Sequence, residues 1–155
     1  MSNHALHLIQ TLQFQDKTKA ESLLLTFLRD IYSADVQEVQ LRPLAVSLNS
    51  FNGYLTLLDG RRLFFKSHTE SDTIIDEYYN AKTLAGIGYP IISPVFSSTE
   101  VGKQLLIYNI IDSPSVFDVA WDIENGQNNL MVPLQKAQEK ADNELLTFYF
   151  KSLIY

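Results

Sequence analysis

The stretch that decides the fold runs from Phe51 to Ser67 and reads FNGYLTLLDGRRLFFKS. Apolar, aromatic and branched residues fill the segments on either side of Asp59-Gly60, which is typical of two β-strands. An Asp-Gly pair in this setting favours a two-residue type I′ turn, because that turn requires positive φ at both central positions. We therefore predict a β-hairpin with strands over Phe51 to Leu58 and Arg61 to Ser67.

The predicted hairpin draws attention to Lys66. Pairing the strands outward from the turn places Leu55 opposite Phe64 and Gly53 opposite Lys66. Lys66 then shares a sheet face with Phe64 and Leu55. A lysine on an apolar sheet face needs an anion or a carboxylate nearby, because burying an unpaired charge costs several kcal/mol. Lys66 is therefore a candidate functional residue.

The rest of the chain alternates between helical and strand periodicity. Further strands are predicted over Val36 to Leu48, Ile91 to Thr99 and Gln104 to Ile111. Helices are predicted over His4 to Leu12, Lys17 to Ser33 with Asp16 as N-cap, 71–86, Ser115 to Glu124, and from Pro133 to the chain end.

This order of elements predicts an α+β fold. We expect a mostly antiparallel five-stranded sheet, one helix between its third and fourth strands, and flanking helices at both termini. The predicted organisation is N-terminal helices over 1–35, the sheet with its helix over 36–112, and a helical segment over 113–155.

Composition excludes several classes of function. The 155 residues include no cysteine, which rules out thiol catalysis, cysteine-ligated metals and disulfides. The net charge of −6 argues against a surface for nucleic acid or anionic membrane, since both require clustered Lys and Arg. No signal peptide and no run of 18 apolar residues is found, so we predict a cytoplasmic protein.

The helix over 71–86 offers a partner for Lys66. At 100° per residue, Glu77 falls within the apolar stripe formed by Ile74, Ala81 and Leu84. An ionised carboxylate at such a position also needs a partner. We therefore predict that Lys66 and Glu77 form an ion pair, which would hold the lysine where it can meet a phosphate.

These features together resemble the nucleotide-binding lobe of protein-kinase-like phosphotransferases, and most closely the aminoglycoside and small-molecule kinase branch. The features are the strand ending in LFFK at Lys66, a helix carrying Glu77, and the stretch EYYNAKTLAGIGYPIISPV from Glu77 to Val95. A two-strand hairpin that ends in a hinge then follows. The resemblance covers about residues 37 to 125.

The resemblance implies ATP, with magnesium in the complete protein, as the cofactor. In that family the strand lysine contacts the α- and β-phosphates and pairs with the helix glutamate, here Lys66 and Glu77. The backbone of Asn109, Ile110 and Ile111 would meet the adenine edge. The loop over 49–53 would take the place of the phosphate-covering loop, with Gly53 as its single glycine where many members of the family carry several.

The chain lacks other parts of the family pattern. No catalytic loop with an Asp base and Asn, and no further Asp for magnesium, follows the hinge. The interpretation is therefore a nucleotide-binding lobe that is not catalytic as this chain alone. Transfer to an unidentified small-molecule acceptor would require sequence beyond it. The chain would be either a fragment of a longer protein or a lobe that persists without catalysis.

Two alternatives remain open. The first is a non-catalytic interaction domain that keeps the architecture of the lobe. The final helix is apolar nearly all round, from Leu145 to Phe150 and on to Tyr155, and such a helix must be buried on several sides. This pattern predicts a homodimer or a partner surface. The second alternative is an unrelated α+β domain with the same order of elements.

The remaining polar pairs are assigned no chemistry. His4 and His7 lack a third metal ligand, so no metal site is predicted. Asp118 and Asp122 are interpreted as a solvated helix face, and His68 as a solvated loop residue. No residue is assigned a catalytic role.

Overall fold

The computed structural model describes residues 3–43 and 49–152. It contains five α-helices, namely α1 (Asn3–Gln15), α2 (Lys17–Ile31), α3 (Ser71–Gly86), α4 (Val116–Glu124) and α5 (Met131–Ser152). Its five strands are β1 (Val36–Leu41), β2 (Ser50–Leu57), β3 (Arg62–His68), β4 (Phe96–Ser98) and β5 (Leu105–Asn109). A single 3₁₀ turn, Asn128–Leu130, precedes α5.

The strands form one antiparallel sheet in the order β1-β2-β3-β5-β4, with α3 between β3 and β4 in the chain. The predicted α+β class and the helix after the third strand are confirmed. The first and fourth strands are shorter than predicted. Part of the first, residues 44–48, lies outside the described residues.

The turn between β2 and β3 differs from the prediction. Leu57 N–H donates to the Arg61 carbonyl at 2.9 Å, and Gly60 N–H donates to the Leu57 carbonyl at 2.9 Å. The loop therefore has three residues, 58–60, and only Gly60 takes positive φ, at 84°. This is a turn followed by a glycine bulge, which twists the hairpin as its strands require. The prediction of a two-residue type I′ turn is wrong.

The longer loop moves the strand register by one residue. Lys66 pairs with Asn52, and Gly53 pairs with Phe65. Because side chains alternate between the faces of a strand, Leu55 lies on the opposite face from Lys66. The predicted pairing of Gly53 with Lys66 is wrong, whereas Phe64 and Lys66 do share a face.

One face of the sheet is covered by α1 and α2. The buried side chains from this face and the two helices form the core. They are Leu6, Ile9, Ala20, Leu24, Phe27, Leu28, Val36, Val39, Leu41, Phe51, Leu55, Leu57, Leu63, Phe65, Leu105 and Ile107. The burial of successive side chains alternates along β2 and β3. The side chains that face the core are mostly apolar, and those on the other face are mostly polar or aromatic.

Helix α2 is fixed at its start and along its side. Asp16 accepts a hydrogen bond from Lys19 N–H at 3.0 Å, which confirms the predicted N-cap. The side chain of Glu21 accepts from the Leu41 N–H at 2.8 Å, and Arg29 Nε donates to the Val36 carbonyl at 2.8 Å. These bonds attach the helix to both ends of β1.

The chain divides into two compact units, 1–110 and 111–155. The second unit contains α4, the 3₁₀ turn and α5. Helix α4 begins with a capping box in which the side chains of Ser115 and Asp118 each accept from the backbone N–H of the other. None of the described side chains over 111–151 is buried.

Among the residues that the structure describes, no helix is both long enough and apolar enough to cross a membrane.

Candidate functional site

Three side chains from three different elements meet on the sheet face opposite α1 and α2. Lys66 of β3 forms an ion pair with Glu77 of α3, through Nζ and Oε2. Tyr108 of β5 donates its hydroxyl hydrogen to the other carboxylate oxygen of Glu77, Oε1, at 2.9 Å. The structure thus brings Lys66 and Glu77 together as the sequence predicts.

The local fold explains this meeting. Strands β3 and β5 are neighbours, and α3 packs across both. The buried side chains of Ile74 and Ala81 anchor the helix on the sheet, and Glu77 lies between them on the same helix face. Helical periodicity therefore aims Glu77 at the sheet, while strand alternation aims Lys66 and Tyr108 at the helix.

The ion pair is partly accessible. The side chains of Lys66 and Glu77 are 33% and 29% exposed, respectively. Burial raises the pKa of Tyr108 above its usual value, and the hydrogen bond to Glu77 raises it further. Tyr108 therefore keeps its proton near neutral pH and remains a hydrogen-bond donor to Glu77. Because Tyr108 fixes the Glu77 carboxylate, Glu77 can orient the partly exposed ammonium group of Lys66 toward an anionic ligand.

His68 lies two residues beyond Lys66, on the same face of β3. Burial lowers the pKa of His68, and the positive charge of Lys66 lowers it further, while Glu77 and Glu70 act in the opposite direction. The prediction of a solvated loop residue is wrong, because His68 is the last residue of the strand and is half-buried. Its charge is therefore coupled to that of Lys66.

Gly53 occupies a different place from the one predicted. The predicted loop over 49–53 belongs mostly to β2, and Gly53 lies in mid-strand between Leu41 of β1 and Phe65 of β3. A Cβ atom at Gly53 would lie 2.0 Å from the Gln40 carbonyl oxygen, so the close approach of β1 requires glycine there. The interpretation of 49–53 as a loop is wrong, and close strand packing accounts for this glycine.

The predicted hinge begins at the last residue of β5. Asn109 is the last residue of that strand and pairs with Leu63. Ile110 is half-buried, and Ile111 is 54% exposed and begins the second unit. Leu63 and Lys66 are three residues apart in β3. The pair formed by Leu63 and Asn109 therefore lies about 10 Å from Lys66 along the strand.

Tyr108 was missed at the level of sequence. The signal was available, since Tyr108 is two residues from Leu106, and Leu106 pairs with Lys66. Residues two apart share a strand face. Placing Tyr108 beside Lys66 requires the register of β3 against β5, and these strands are about 40 residues apart in the sequence.

Other features of the described residues lie apart from this cluster. A cavity of about 120 Å³ is lined by Ala5, Leu8, Ile9, Leu23, Thr26 and Phe27 of α1 and α2. Asp118 serves the capping box of α4. Within 3–43 and 49–152, no three His, Asp or Glu side chains lie close enough together to hold a metal ion.

Comparisons of the chain with protein-family models, with curated proteins and with solved structures find no match. The kinase-like interpretation therefore depends on the order of elements and on the cluster of Lys66, Glu77 and Tyr108.

Proposed function

We propose that the unit over 1–110 is the nucleotide-binding lobe of a kinase-like phosphotransferase and binds ATP with magnesium. The observation that supports this proposal is the ion pair between Lys66 and Glu77 on the sheet face that carries α3. A strand lysine held by a helix glutamate is the arrangement that such enzymes use to contact the α- and β-phosphates.

The chemistry of Lys66 suits this role. Its ammonium group has three hydrogen-bond donors, and Glu77 accepts one of them. The remaining donors can reach phosphate oxygens, because a third of the side chain is exposed. Since Tyr108 fixes Glu77, and Glu77 fixes Lys66, the ammonium group is oriented before the ligand arrives.

The proposal extends to the base and to the acceptor. The backbone of Asn109 and Ile110, at the end of β5, would meet the adenine edge. Phosphoryl transfer to a small molecule would require a catalytic Asp and magnesium ligands, which we do not assign to residues of this chain. We therefore assign nucleotide binding, and no catalytic step, to residues 1–155.

Calorimetric titration of magnesium-ATP into the parent chain and into Lys66→Met tests this function. We expect binding to weaken at least tenfold in the variant, which is about 1.4 kcal/mol. Lys103→Met is a matched control, because Lys103 also pairs with a glutamate, Glu100, and its side chain is also 33% exposed. We expect the control to bind within twofold of the parent.

Two results would contradict this proposal. One is the absence of binding heat in the parent at millimolar nucleotide. The other is equal weakening by Lys66→Met and Lys103→Met, which would indicate a general charge effect. Circular dichroism of both variants checks that the fold is retained.

A second candidate function is an interaction or dimerisation domain. The observation that favours it is the exposure of large apolar side chains on α5, where Leu145, Leu146, Tyr149 and Phe150 are 51%, 51%, 56% and 60% exposed. Contiguous apolar surface of this kind is typical of protein–protein contacts. A second copy of the chain would cover it in a homodimer.

Light scattering over a hundredfold range of protein concentration tests this alternative. A homodimer predicts a mass that rises with concentration toward twice 17.7 kDa. Leu146→Lys should lower the mass, whereas Gln135→Lys, a charge added elsewhere on α5, should leave it unchanged. A constant monomer mass in the parent contradicts the dimer.

A further inference from the structure

Two arginines, Arg42 and Arg62, lie on the same sheet face as Lys66, and the guanidinium groups of both contact the ring of Tyr54. The guanidinium carbon of Arg62 lies 4.1 Å from the centroid of the Tyr54 ring, and that of Arg42 lies 5.5 Å from it. Arg42 Nη1 donates to the Tyr54 hydroxyl at 3.2 Å, and Arg62 Nη2 donates to Gln40 Oε1 at 3.0 Å. Both guanidinium groups are therefore held by neutral partners.

The two arginines have no acidic partner among the residues that the structure describes. Within residues 3–43 and 49–152, no carboxylate lies within 4.0 Å of Arg42 or Arg62. The segment 44–48, LAVSL, contains no Asp or Glu. Arg61 behaves in the usual way and bonds Asp59 at 2.6 Å. In a chain of net charge −6, two arginines that share one aromatic ring and have no carboxylate within 4.0 Å among the described residues form a local positive site.

Arg42 lies in the same row of the sheet as Lys66. The backbone N–H of Arg42 donates to the Asn52 carbonyl at 2.8 Å, and Asn52 pairs with Lys66 on the next strand. Neighbouring strands are about 4.8 Å apart, so the backbones of Arg42 and Lys66 are separated by about 10 Å along one row. Lys66 forms an ion pair with Glu77, whereas Arg42 and Arg62 form no ion pair with any described residue.

The chemistry of this pair favours an oxyanion. A guanidinium group presents five N–H donors in a planar fork that matches the oxygens of a phosphate. Each arginine donates from one terminal nitrogen to its neutral partner, which restrains the guanidinium plane and leaves the other N–H donors available to a ligand. Both side chains are exposed, so a ligand can reach them.

We propose that Arg42 and Arg62, oriented by Tyr54 and Gln40, form a clamp for a phosphoryl group of the ligand. This inference deepens the proposed function, on which it rests for the identity of the ligand. The phosphate chain of a nucleotide held at Lys66 would extend along the row toward Arg42. The clamp itself requires only the oxyanion, so it can be tested without a nucleoside.

The test is a calorimetric titration of inorganic tripolyphosphate into the parent and into the double variant Arg42→Gln, Arg62→Gln. We expect the double variant to bind at least tenfold more weakly. Arg61→Gln is the matched control, because Arg61 is a neighbouring exposed arginine already paired with Asp59. We expect this control to bind within twofold of the parent.

A second double variant, Arg42→Lys with Arg62→Lys, separates the clamp from diffuse charge. It keeps both charges but loses the planar forks, so we expect tripolyphosphate binding to weaken at least threefold. Binding equal to that of the parent would overturn the clamp. The absence of tripolyphosphate binding in the parent, or equal losses in the glutamine variant and the Arg61→Gln control, would also overturn it.

Magnesium-ATP titrations of the same proteins distinguish the two proposals. If Lys66→Met weakens ATP binding while the arginine double variant binds ATP and tripolyphosphate like the parent, the clamp is wrong and the proposed function stands. A second outcome is also possible. If the arginine double variant binds tripolyphosphate more weakly than the parent, but the parent binds ATP no more tightly than tripolyphosphate and Lys66→Met does not change ATP binding, the clamp stands and the nucleotide function is wrong.

Discussion

The two units of the chain are stabilised in different ways. Among its described residues, the first buries sixteen apolar side chains between α1, α2 and one sheet face. The second has no buried side chain among its described residues. Two of its aromatic rings, those of Phe117 and Trp121, stack 6.4 Å apart while 73% and 62% exposed. Nonlocal burial holds the first unit together. Local bonds, such as the capping box of α4, hold the helices of the second.

This difference has a consequence for function. Chemistry that needs oriented groups requires a rigid support, and the first unit provides one for Lys66, Glu77 and Tyr108. The second unit presents apolar surface instead, which suits contact with another protein. Each proposed function is thus associated with the unit whose physical character fits it.

The largest expected effect comes from removing matched phenylalanines from the two units. Phe65 is completely buried in the core, so Phe65→Ala should destabilise the chain by about 4 kcal/mol, through lost burial and the cavity left behind. Phe117→Ala in α4 should change the free energy of unfolding by less than about 0.5 kcal/mol, because the ring is exposed. Urea denaturation followed by circular dichroism measures both.

A similar loss of unfolding free energy in Phe65→Ala and Phe117→Ala would contradict this difference between the two units. It would mean that Phe117 is buried in solution and that the second unit has a covered face.

The next effect concerns the strand packing of the first unit. Gly53→Ala places a methyl group against the Gln40 carbonyl and forces the backbones of β1 and β2 apart, so we expect a loss of about 2 kcal/mol. Gly86→Ala, at the end of α3, meets open space and should be neutral or slightly stabilising. The urea midpoints of the two variants give the comparison, and a neutral Gly53→Ala would contradict the tight β1–β2 packing.

The smallest effect is the pH dependence of stability that a histidine of the first unit contributes. The sequence after Ile110 contains no histidine, whereas His68 lies beside Lys66 and burial lowers its pKa below the usual 6.5. The unfolded chain then binds a proton more readily than the folded one. Stability from this group is complete above pH 6.5 and is lost as the pH falls from 6.5 through the lower pKa of the folded state.

His68→Gln isolates this contribution. We expect the urea midpoint of the parent to fall more steeply below pH 6.5 than that of the variant, because the variant lacks the titrating group. Parallel pH profiles would show that the His68 environment does not disfavour its charge. Proton NMR of His68 in the parent, followed against pH, gives the direction of the pKa shift directly.

Much of the fold could be predicted from periodicity and turn chemistry. Strand alternation identified both arms of the central hairpin, and the apolar stripe with Asp16 at its start identified α2. The ion pair of Lys66 and Glu77 followed from two local periodicities, one in β3 and one in α3. Its geometry was therefore predictable despite the wrong hairpin register. Its role in binding nucleotide remains a prediction.

The register could not be predicted, because Asp59-Gly60 fits two kinds of turn. An Asp-Gly pair suits a two-residue loop, and it also suits the last two positions of a three-residue loop with a glycine bulge. Leu58 is apolar and reads as a strand residue, yet it lies in the loop and is 66% exposed. A one-residue difference at this turn moved Leu55 to the other face from Lys66.

The arginine pair was beyond sequence reasoning for a different reason. Arg42 follows β1, Tyr54 lies within β2 and Arg62 begins β3, so their contact requires three strands in register. No local pattern marks any of the three. The net charge of the chain also gives no indication of a local positive site, because it is negative.

The order in which the chain folds follows from the pairing of β3 with β5. This pairing joins residues about 40 positions apart, with α3 and β4 between them, whereas β2 and β3 are joined by a three-residue loop. Closing the longer segment loses more chain entropy, so the hairpin can form early and the β3–β5 contact late. Lys66, Glu77 and Tyr108 come from β3, α3 and β5. We therefore expect their cluster to be assembled among the last steps of folding, and a nascent chain to complete it only after β5 has emerged and docked.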